Sequence, residues 1–263
     1  MGVDTLRPAF PAPTSVRTTE VTLIVPVYNE ADRSDHVKRM LDGSLDQLAN
    51  KFPGAYELIM FDDGSTDGTA ELAQLFGIEV MSHPDGQNHG KGASIRAAMQ
   101  AARGEVRALA DADGSYSPDA IMQLIDEVGS ERADIAVAAR ANTGHASLLR
   151  RAGHSALEAI CQHYAPTDTT DTQAGAKAFS ADAAQDIWPR VVADRFAADR
   201  EAMYLAAQLG YRVSSIPTEV TPVDGSHVRI IRDSLQIIRD ARQIPRTHPH
   251  ASKHVIPAEA GTQ

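Results

Sequence analysis

Two carboxylates one residue apart, Asp111 and Asp113, follow a short apolar run and precede a Gly-Ser-Tyr-Ser-Pro turn in the segment "RALADADGSYSPDAI". Such oxygen ligands suit a hard divalent cation that also binds phosphate oxygens. The segment begins like an EF-hand calcium loop. However, Tyr116 stands where that loop requires glycine, and Met122 stands where it requires glutamate. The pair therefore indicates either a site for a hard divalent cation or an Asp-rich turn without a ligand.

A glycine cluster, "DGQNHGKGASIR", is the second candidate for phosphate chemistry. A dinucleotide fingerprint fails because Ile95 takes the place of its last glycine. A Walker loop fails because Asp85 and Gly92 take the places of its first glycine and its Ser or Thr. What remains is a predicted helix start with Lys91 and Gly92, followed one turn later by Arg96, which could meet a diphosphate. A simple helix start with solvated cations is the alternative.

The elements that must position these residues are short apolar runs alternating with longer helical patterns. The runs predict strands at residues 21–27, 56–61, 78–82, 106–110 and 134–139, and the intervening segments predict helices. Strict alternation implies βαβ units and a mainly parallel, Rossmann-like sheet. The clusters "PVYNE", "DDGSTDGT" and "DADGSYSP" each follow a predicted strand. Since ligands of such sheets bind beyond the carboxyl ends of the strands, these clusters are predicted to share one site.

The pattern changes after residue 140, where helices and strands no longer alternate strictly. We predict a disordered lead at 1–19, one domain at 20–243 with halves at 20–139 and 140–243, and a flexible tail at 244–263. The last helix carries apolar residues near one face, flanked by arginines. That face is expected to pack on the core, with peripheral membrane docking as the alternative. Its apolar residues are Ile230, Ile231, Leu235 and Ile238.

Composition excludes several classes of protein. A formal net charge of -10 argues against a nucleic-acid partner, because such proteins need a basic face. A single cysteine, Cys161, allows no disulfide within the chain and is expected to be a buried thiol. The N-terminus lacks the apolar region of a signal peptide, and no stretch is long enough to span a membrane. These features predict a cytoplasmic protein.

Five segments in order, "IVPVYNE", "DDGSTDGT", "GKGASIRAAMQAARGE", "DADGSYSP" and "DTQAGAKAF", resemble the motifs of family 2 glycosyltransferases with the GT-A fold. The group they resemble is the dolichyl- and polyprenyl-phosphate glycosyltransferases, and the resemblance covers residues 20–242. It implies an α/β fold: a GT-A (Rossmann-like), mostly parallel sheet flanked by helices, with a C-terminal acceptor-side subregion. It also implies a UDP- or GDP-linked sugar donor and an Mg²⁺ or Mn²⁺ cofactor.

The resemblance assigns roles to residues of the first half. Asp111 and Asp113 would be the DxD pair, with Asp113 the direct metal ligand and Asp111 also on the nucleotide sugar. Residues lining the rest of the donor site would be Pro26, Tyr28, Asn29, Glu30, Asp62, Asp63, Lys91, Gly92 and Arg96.

In the second half, the resemblance implies an acceptor side. Asp171 and Gln173 would belong to a turn over the sugar, and Asp199 and Glu201 would be candidates for a catalytic acid or base. A closing loop would follow. Its Ser226 and Arg229 would cover the diphosphate, and its His227 would be a further metal ligand.

The family's inverting chemistry implies that an acceptor oxygen attacks the anomeric carbon opposite the leaving diphosphate. A hydroxyl acceptor needs a base, for which Asp199 is the candidate, whereas an acceptor phosphate is already anionic. The acceptor is expected to be a polyprenyl phosphate or a small soluble molecule, and a homodimer is a possible assembly. Ala174 and Ala176 depart from the lipid-linked relatives, which usually carry a Cys-like residue at the first position and a bulky residue at the second.

Two functions of other classes stay open. A sugar nucleotidyltransferase shares the Rossmann-like half and the metal, but "VPVYNEADR" lacks the Gly-rich opening loop of such enzymes. A nucleotide-sugar-binding module without catalysis would bind the donor and release no product.

Overall fold

A computed structural model describes residues 19–75, 77–140, 157–169, 171–195, 197–221 and 230–249. Its centre is one seven-stranded sheet in the order β3-β2-β1-β4-β6-β5-β7. The strands are β1 (Val21–Val27), β2 (Tyr56–Asp62), β3 (Val80–Ser82), β4 (Val106–Ala110), β5 (Ile135–Arg140), β6 (Ala176–Ser180) and β7 (Val213–Thr218). β6 runs antiparallel to both neighbours and the other pairs are parallel. The predicted mostly parallel α/β sheet is confirmed.

Helices cover both faces of this sheet. They are α1 (Ser34–Lys51), α2 (Thr69–Leu75), α3 (Lys91–Ala101), α4 (Pro118–Gly129), α5 (helical over residues 157–164), α6 (Ala181–Ile187), α7 (Ala197–Leu209) and α8 (Ile230–Thr247). Alternate strand residues enter two separate cores: Leu23 and Val25 pack with α1 and α4, whereas Ile24 packs with α3, α6 and α7. Burial on both faces explains why the central strands β1 and β4 are mostly apolar along their whole length.

The sequence specifies several helix starts locally. The side chain of Ser117 accepts a hydrogen bond from Ala120 N at the start of α4. Pro118, in the first turn, has no backbone N–H that would need a partner. Ser180 caps α6 in the same way by accepting from Ala183 N. Short polar residues before these two helices therefore fix where α4 and α6 begin.

The strand register brings the predicted clusters to one edge. β1 and β2 end together, since Val27 pairs with Asp62, and β4 lies on the other side of β1. Because β6 is antiparallel, with Ala176 opposite Ala110, the chain that precedes β6 reaches this same edge. Segments after three parallel strands and before one antiparallel strand therefore meet there.

The C-terminal helix differs from expectation in its length. α8 continues to Thr247, so residue 244, where we placed the start of a flexible tail, lies inside a helix. Ile244 is buried in a cluster with Cys161 and Tyr204, and Ile238 packs against that cluster. The apolar face therefore packs on the core at Ile238, while the side chains of residues 230–236 are outside the described part. Among the described helices, none is both long and apolar enough to cross a membrane.

Candidate active site

The DxD pair lies at the carboxyl end of β4. Asp111 follows the strand directly, and its Oδ1 lies 2.6 Å from Lys91 Nζ at the start of α3. Both side chains remain accessible, at 29% and 27% exposure. Asp113 Oδ1 accepts a hydrogen bond from Ser115 N at 2.9 Å, which closes the following turn. Lys91 and the two carboxylates that were predicted to bind a metal, Asp111 and Asp113, thus lie at the same edge of the sheet.

Lys91 is held as a cation by its neighbours. Burial opposes its charge, but the carboxylates of Asp111, Asp199 and Asp113 outweigh burial and hold the pKa of Lys91 above its ordinary value. The ammonium is therefore charged throughout the physiological range.

Gly175 presses the turn before β6 against Asp111. The backbone N–H of Asp111 donates to Gly175 O at 2.9 Å, and Gly175 N donates to Tyr116 Oη at 3.1 Å. A Cβ atom added to Gly175 would lie 2.3 Å from Asp111 Oδ2, so no larger residue fits without moving that carboxylate. Burial raises the pKa of Tyr116 to about 12, so its hydroxyl stays protonated. Sequence reasoning nominated neither Gly175 nor Tyr116, although both lie in quoted motifs.

The loops after β1 and β2 are joined by hydrogen bonds. Asn29, at a φ of 53°, donates its N–H to Ser65 Oγ at 2.9 Å and accepts from Thr66 N through Oδ1 at 2.9 Å. The N–H of Glu30 donates to Thr69 Oγ1 at 2.8 Å. Asparagine suits this place because it tolerates positive φ better than most residues. Asn29 therefore shapes the edge by joining two loops.

The remaining donor-site candidates on β1 and β2 differ in accessibility. Asp62 is buried, and its carboxylate accepts from the N–H and the hydroxyl of Ser65. Tyr28 is 46% exposed, and Pro26 is partly buried just before it. Tyr28 is thus the open aromatic surface at this edge, whereas Asp62 shapes the loop beneath it.

The carboxylates at this edge of the sheet repel one another. Burial raises the pKa of Glu30, Arg33 offsets part of that, and the charges of Asp113 and Asp111 raise the pKa further. In the described ranges, no three or more His, Cys, Asp or Glu side chains surround a common metal position. Asp111 and Asp113 fit the magnesium type of site, in which one or two carboxylates share the ion with substrate phosphates and water.

Asp63 has a structural role that sequence reasoning did not predict. Its buried carboxylate accepts from His89 N at 3.0 Å, from Gly90 N at 2.9 Å and from Asn88 Nδ2 at 2.8 Å. Asp63 Oδ1 also lies 3.4 Å from His83 Nε2. These contacts fix the loop that leads into α3, so Asp63 positions Lys91 and its own oxygens are taken by protein donors.

The start of α3 differs from the expected open diphosphate site. The N–H groups of Gly92 and Ala93 donate to Asp194 O, at 2.9 and 3.2 Å. Arg96 donates to Val191 O at 3.0 Å and to Asp194 Oδ1 at 2.7 Å. A loop at residues 191–195 thus occupies the helix amides and the arginine, because its carbonyl and carboxylate oxygens supply the negative charge. Of the cluster's candidates, Lys91 is the one directed at the acidic edge.

Asp199 forms a buried ion pair. Lys177, on β6, places Nζ 2.6 Å from Asp199 Oδ1 and 2.6 Å from Ala174 O. The lysine side chain is 1% exposed and that of the aspartate 7%. Sequence reasoning missed Lys177. The signal was a charged residue between Ala176 and Ala178 in a strand, at a position that faces the core.

Glu201 is held by protein partners at both oxygens. Oε2 accepts from Val192 N at 3.0 Å and Ala193 N at 2.8 Å, and Oε1 lies 2.6 Å from His248 Nε2. This carboxylate anchors loop 191–195 to α7, which argues against the predicted catalytic role. His248 was expected in a solvated tail, but its side chain is 11% exposed and joins α8 to this network.

The turn over the site is fixed by a further arginine. Arg140, at the end of β5, binds Asp171 through two parallel contacts of 2.9 Å and also donates its N–H to Oδ2. Burial opposes ionisation of Asp171, but these hydrogen bonds outweigh it and lower its pKa. Gln173 is exposed on the same turn. Gln173 is therefore open to solvent, while Asp171 orients the turn.

Three candidates, Ser226, His227 and Arg229, lie outside the described residues. Their predicted roles on the diphosphate and the metal stay predictions.

Comparison with known proteins adds evidence independent of this geometry. Residues 22–188 match the sequence profile of Glycosyl transferase family 2. The chain is 32% identical over 255 residues to the dolichyl-phosphate beta-glucosyltransferase of Drosophila melanogaster, covering 88% of this chain and 76% of that protein.

Solved structures share the fold at lower identity. Mannosyl-3-phosphoglycerate synthase from Rubrobacter xylanophilus is similar with a TM-score of 0.70 and 18% identity, over 93% of this chain and 79% of that one. Glucosyl-3-phosphoglycerate synthase from Mycobacterium tuberculosis, in complex with Mn²⁺, UDP-glucose and phosphoglyceric acid, has a TM-score of 0.59 and 16% identity, over 86% and 79%. These likenesses confirm the predicted GT-A fold.

Proposed function

We propose, since the chain belongs to glycosyltransferase family 2, that it transfers glucose from UDP-glucose to a polyprenyl phosphate. That the protein is a glycosyltransferase follows from the family and from its relatives. The donor and the acceptor are the proposed part. They are supported by the 32% identity to a dolichyl-phosphate beta-glucosyltransferase and by the UDP-glucose bound to a protein of the same fold.

The observation that carries this proposal is the contact between Asp111 and Lys91 beneath the Gly175 turn. It joins a carboxylate pair and a permanent cation at the carboxyl edge of the sheet, where ligands of such folds bind. Asp111 and Asp113 would hold Mg²⁺ or Mn²⁺. When bound, that ion neutralises the negative charge that develops on the leaving diphosphate.

The residues of this chain have distinct tasks in the proposed reaction. Lys91 contacts the diphosphate and stabilises its charge. Tyr28 offers its exposed ring to the nucleoside, and Glu30 accepts hydrogen bonds from its polar groups. Gln173 faces the sugar from the turn above Asp111.

A phosphate acceptor agrees with the hydrogen bonds that Asp199 and Glu201, the two predicted catalytic carboxylates, make to other protein groups. An oxygen of the acceptor phosphate attacks the anomeric carbon and forms the new C–O bond. The bond from that carbon to the diphosphate breaks, and its electron pair leaves on the diphosphate. No proton has to be removed, so the reaction does not require Asp199 or Glu201 as a base. In the structure Asp199 accepts a hydrogen bond from Lys177, and Glu201 accepts one from Ala193 N.

A transfer assay tests this proposal. Radiolabelled UDP-glucose is incubated with a short polyprenyl phosphate and MnCl₂, and the label is extracted into organic solvent. We expect lipid-linked glucose that disappears with EDTA. GDP-mannose serves as the alternative donor and 3-phosphoglycerate as the soluble acceptor.

Transfer to 3-phosphoglycerate alone would correct the acceptor and keep the enzyme class. Donor binding without any product would favour the catalytically inactive module. Pyrophosphate release from a nucleoside triphosphate and a sugar phosphate would revive the nucleotidyltransferase.

A further inference from the structure

We propose that Lys177 is a positioning residue for the transfer reaction, and that Asp199 is its counter-ion. In this assignment the Lys177 ammonium anchors the turn at residues 171–175 from below and thereby fixes Gly175 against Asp111. The inference rests on the proposed function, since it concerns how the same site holds its metal ligand.

Lys177 reaches the turn from inside the sheet. It stands on β6 opposite Leu109 of β4 and Val137 of β5, in the layer that packs on α3 and α7. Its Nζ donates to Ala174 O and to Asp199 Oδ1, both at 2.6 Å. One ammonium therefore ties the last residues of the turn to the first turn of α7.

The turn is fixed at successive backbone groups. Ala174 N donates to Asp171 O at 3.2 Å, and Ala174 O accepts from Lys177. Gly175 N donates to Tyr116 Oη, and Gly175 O accepts from the N–H of Asp111. Removal of the lysine would free Ala174 O, the residue directly before the glycine that touches the Asp111 carboxylate. Lys177 thus acts on the metal ligand through two residues of backbone.

A stability role alone gives a weak reason for a buried lysine here. Burying two charges is costly, and well-packed apolar replacements of such pairs are often neutral or stabilising. The neighbours of Lys177 in β6 are alanines, and an apolar residue would suit this core. What an apolar residue cannot supply is a donor for Ala174 O. Geometry at the turn is therefore the feature that the lysine provides.

Asp199 fits the role of counter-ion. The oxygen Oδ1 is already held by Lys177, and the charge of Asp199 also acts on Lys91. A buried carboxylate beside the buried Lys177 ammonium balances its charge. In this role it leaves the acceptor untouched.

The decisive variants are Lys177→Met and the double variant Lys177→Met with Asp199→Asn. The single variant leaves Asp199 with an uncompensated buried charge, so the melting temperature of this variant falls below that of wild type. The double variant removes both charges and regains most of the lost melting temperature. The double variant separates two roles of Lys177. If the lysine serves only the core, the variant keeps the geometry of the site, and if the lysine positions the turn, the variant loses that geometry.

The readout is the affinity for Mn²⁺ with UDP, measured by isothermal titration, together with kcat. We expect the double variant to bind Mn²⁺ and UDP at least tenfold more weakly than wild type and to lose at least tenfold in kcat, despite its restored stability. Wild-type binding and kcat in the double variant would overturn the inference, because the pair would then serve the core alone.

Asp199→Asn separates the counter-ion from a base. Because the amide oxygen still accepts from Lys177, we expect kcat of this variant to depend on pH in the same way as kcat of wild type. Loss of turnover together with loss of the wild-type pH dependence of kcat would assign Asp199 as the base.

Wild-type enzyme that binds Mn²⁺ and UDP but transfers no sugar would refute the proposed function. The titration would still test Lys177. Wild-type enzyme that binds neither would overturn both proposals.

Discussion

Replacing Gly175 by alanine tests the contact between the turn and the DxD pair. The added Cβ would lie 2.3 Å from Asp111 Oδ2 and 3.1 Å from Tyr116 Cε2. The backbone of Gly175 does not need a positive φ, so alanine is allowed locally. The Asp111 carboxylate would be about 1 Å too close to the added carbon for an ordinary contact and must move away by that amount. Because the end of a side chain gives way, the fold is expected to survive.

The magnitude follows from this displacement. Misplacing a reacting group by about 1 Å can cost about 100-fold in rate. We expect kcat/KM to fall by about 100-fold. The stability cost of overpacking should stay near the lower end of about 1–3 kcal/mol, which corresponds to a few degrees of melting temperature. Activity should therefore fall far more than stability.

The assay is sugar transfer as a function of Mn²⁺ concentration, with thermal unfolding in parallel. Gly129→Ala is the matched control, since its Cβ would meet Val106 Cγ2 at an ordinary 3.7 Å, near the opposite end of β4. That control should keep wild-type turnover. Wild-type turnover and Mn²⁺ response in Gly175→Ala would refute the argument that this glycine sets the position of Asp111.

Three other residues carry predictions. Asp113→Ala should reduce metal-dependent transfer by at least about tenfold and keep the fold, because the contact that it loses is a part-buried hydrogen bond from Ser115 N at a turn. Unchanged turnover would dismiss Asp113 as a ligand. Glu201→Ala should lower the free energy of unfolding by about 2–4 kcal/mol, measured in urea, because two backbone donors and His248 lose their partner. Full stability with no turnover would instead restore a catalytic role for Glu201. Asp171 has a lowered pKa, so its contribution to stability is present above pH 3.8 and is lost as the pH falls through its folded pKa. The stability difference between wild type and Asp171→Asn should therefore shrink on acidification, and a difference independent of pH would contradict the role of Arg140.

The sheet was predictable because its strands carry a strong local signal. Continuous apolar runs such as Val21–Val27 can be buried only between two layers, and the helical segments between them allow few topologies. The family motifs added the order of the acidic clusters. What local patterns could not give was the antiparallel insertion of β6 between β4 and β5, because that pairing depends on residues far apart in the sequence.

The site was predictable at the level of residue types and less so at the level of roles. Asp111 and Lys91 were expected on one edge, and they meet there. Asp63, Arg96 and Glu201 were expected on ligands, yet each binds loop backbone. A carboxylate or guanidinium in a motif satisfies buried backbone groups as well as it binds substrate, and the sequence does not distinguish these partners. Only the folded arrangement separates them.

The measurement that tests the central claim most directly is the binding of UDP-glucose with and without MnCl₂, for wild type and for Asp111→Asn. If the acidic edge holds a cation that binds the diphosphate, wild type should bind the donor at least tenfold more tightly with the metal, and the variant should lose that difference. Equal donor binding with and without metal, or a metal effect that survives in Asp111→Asn, would contradict it.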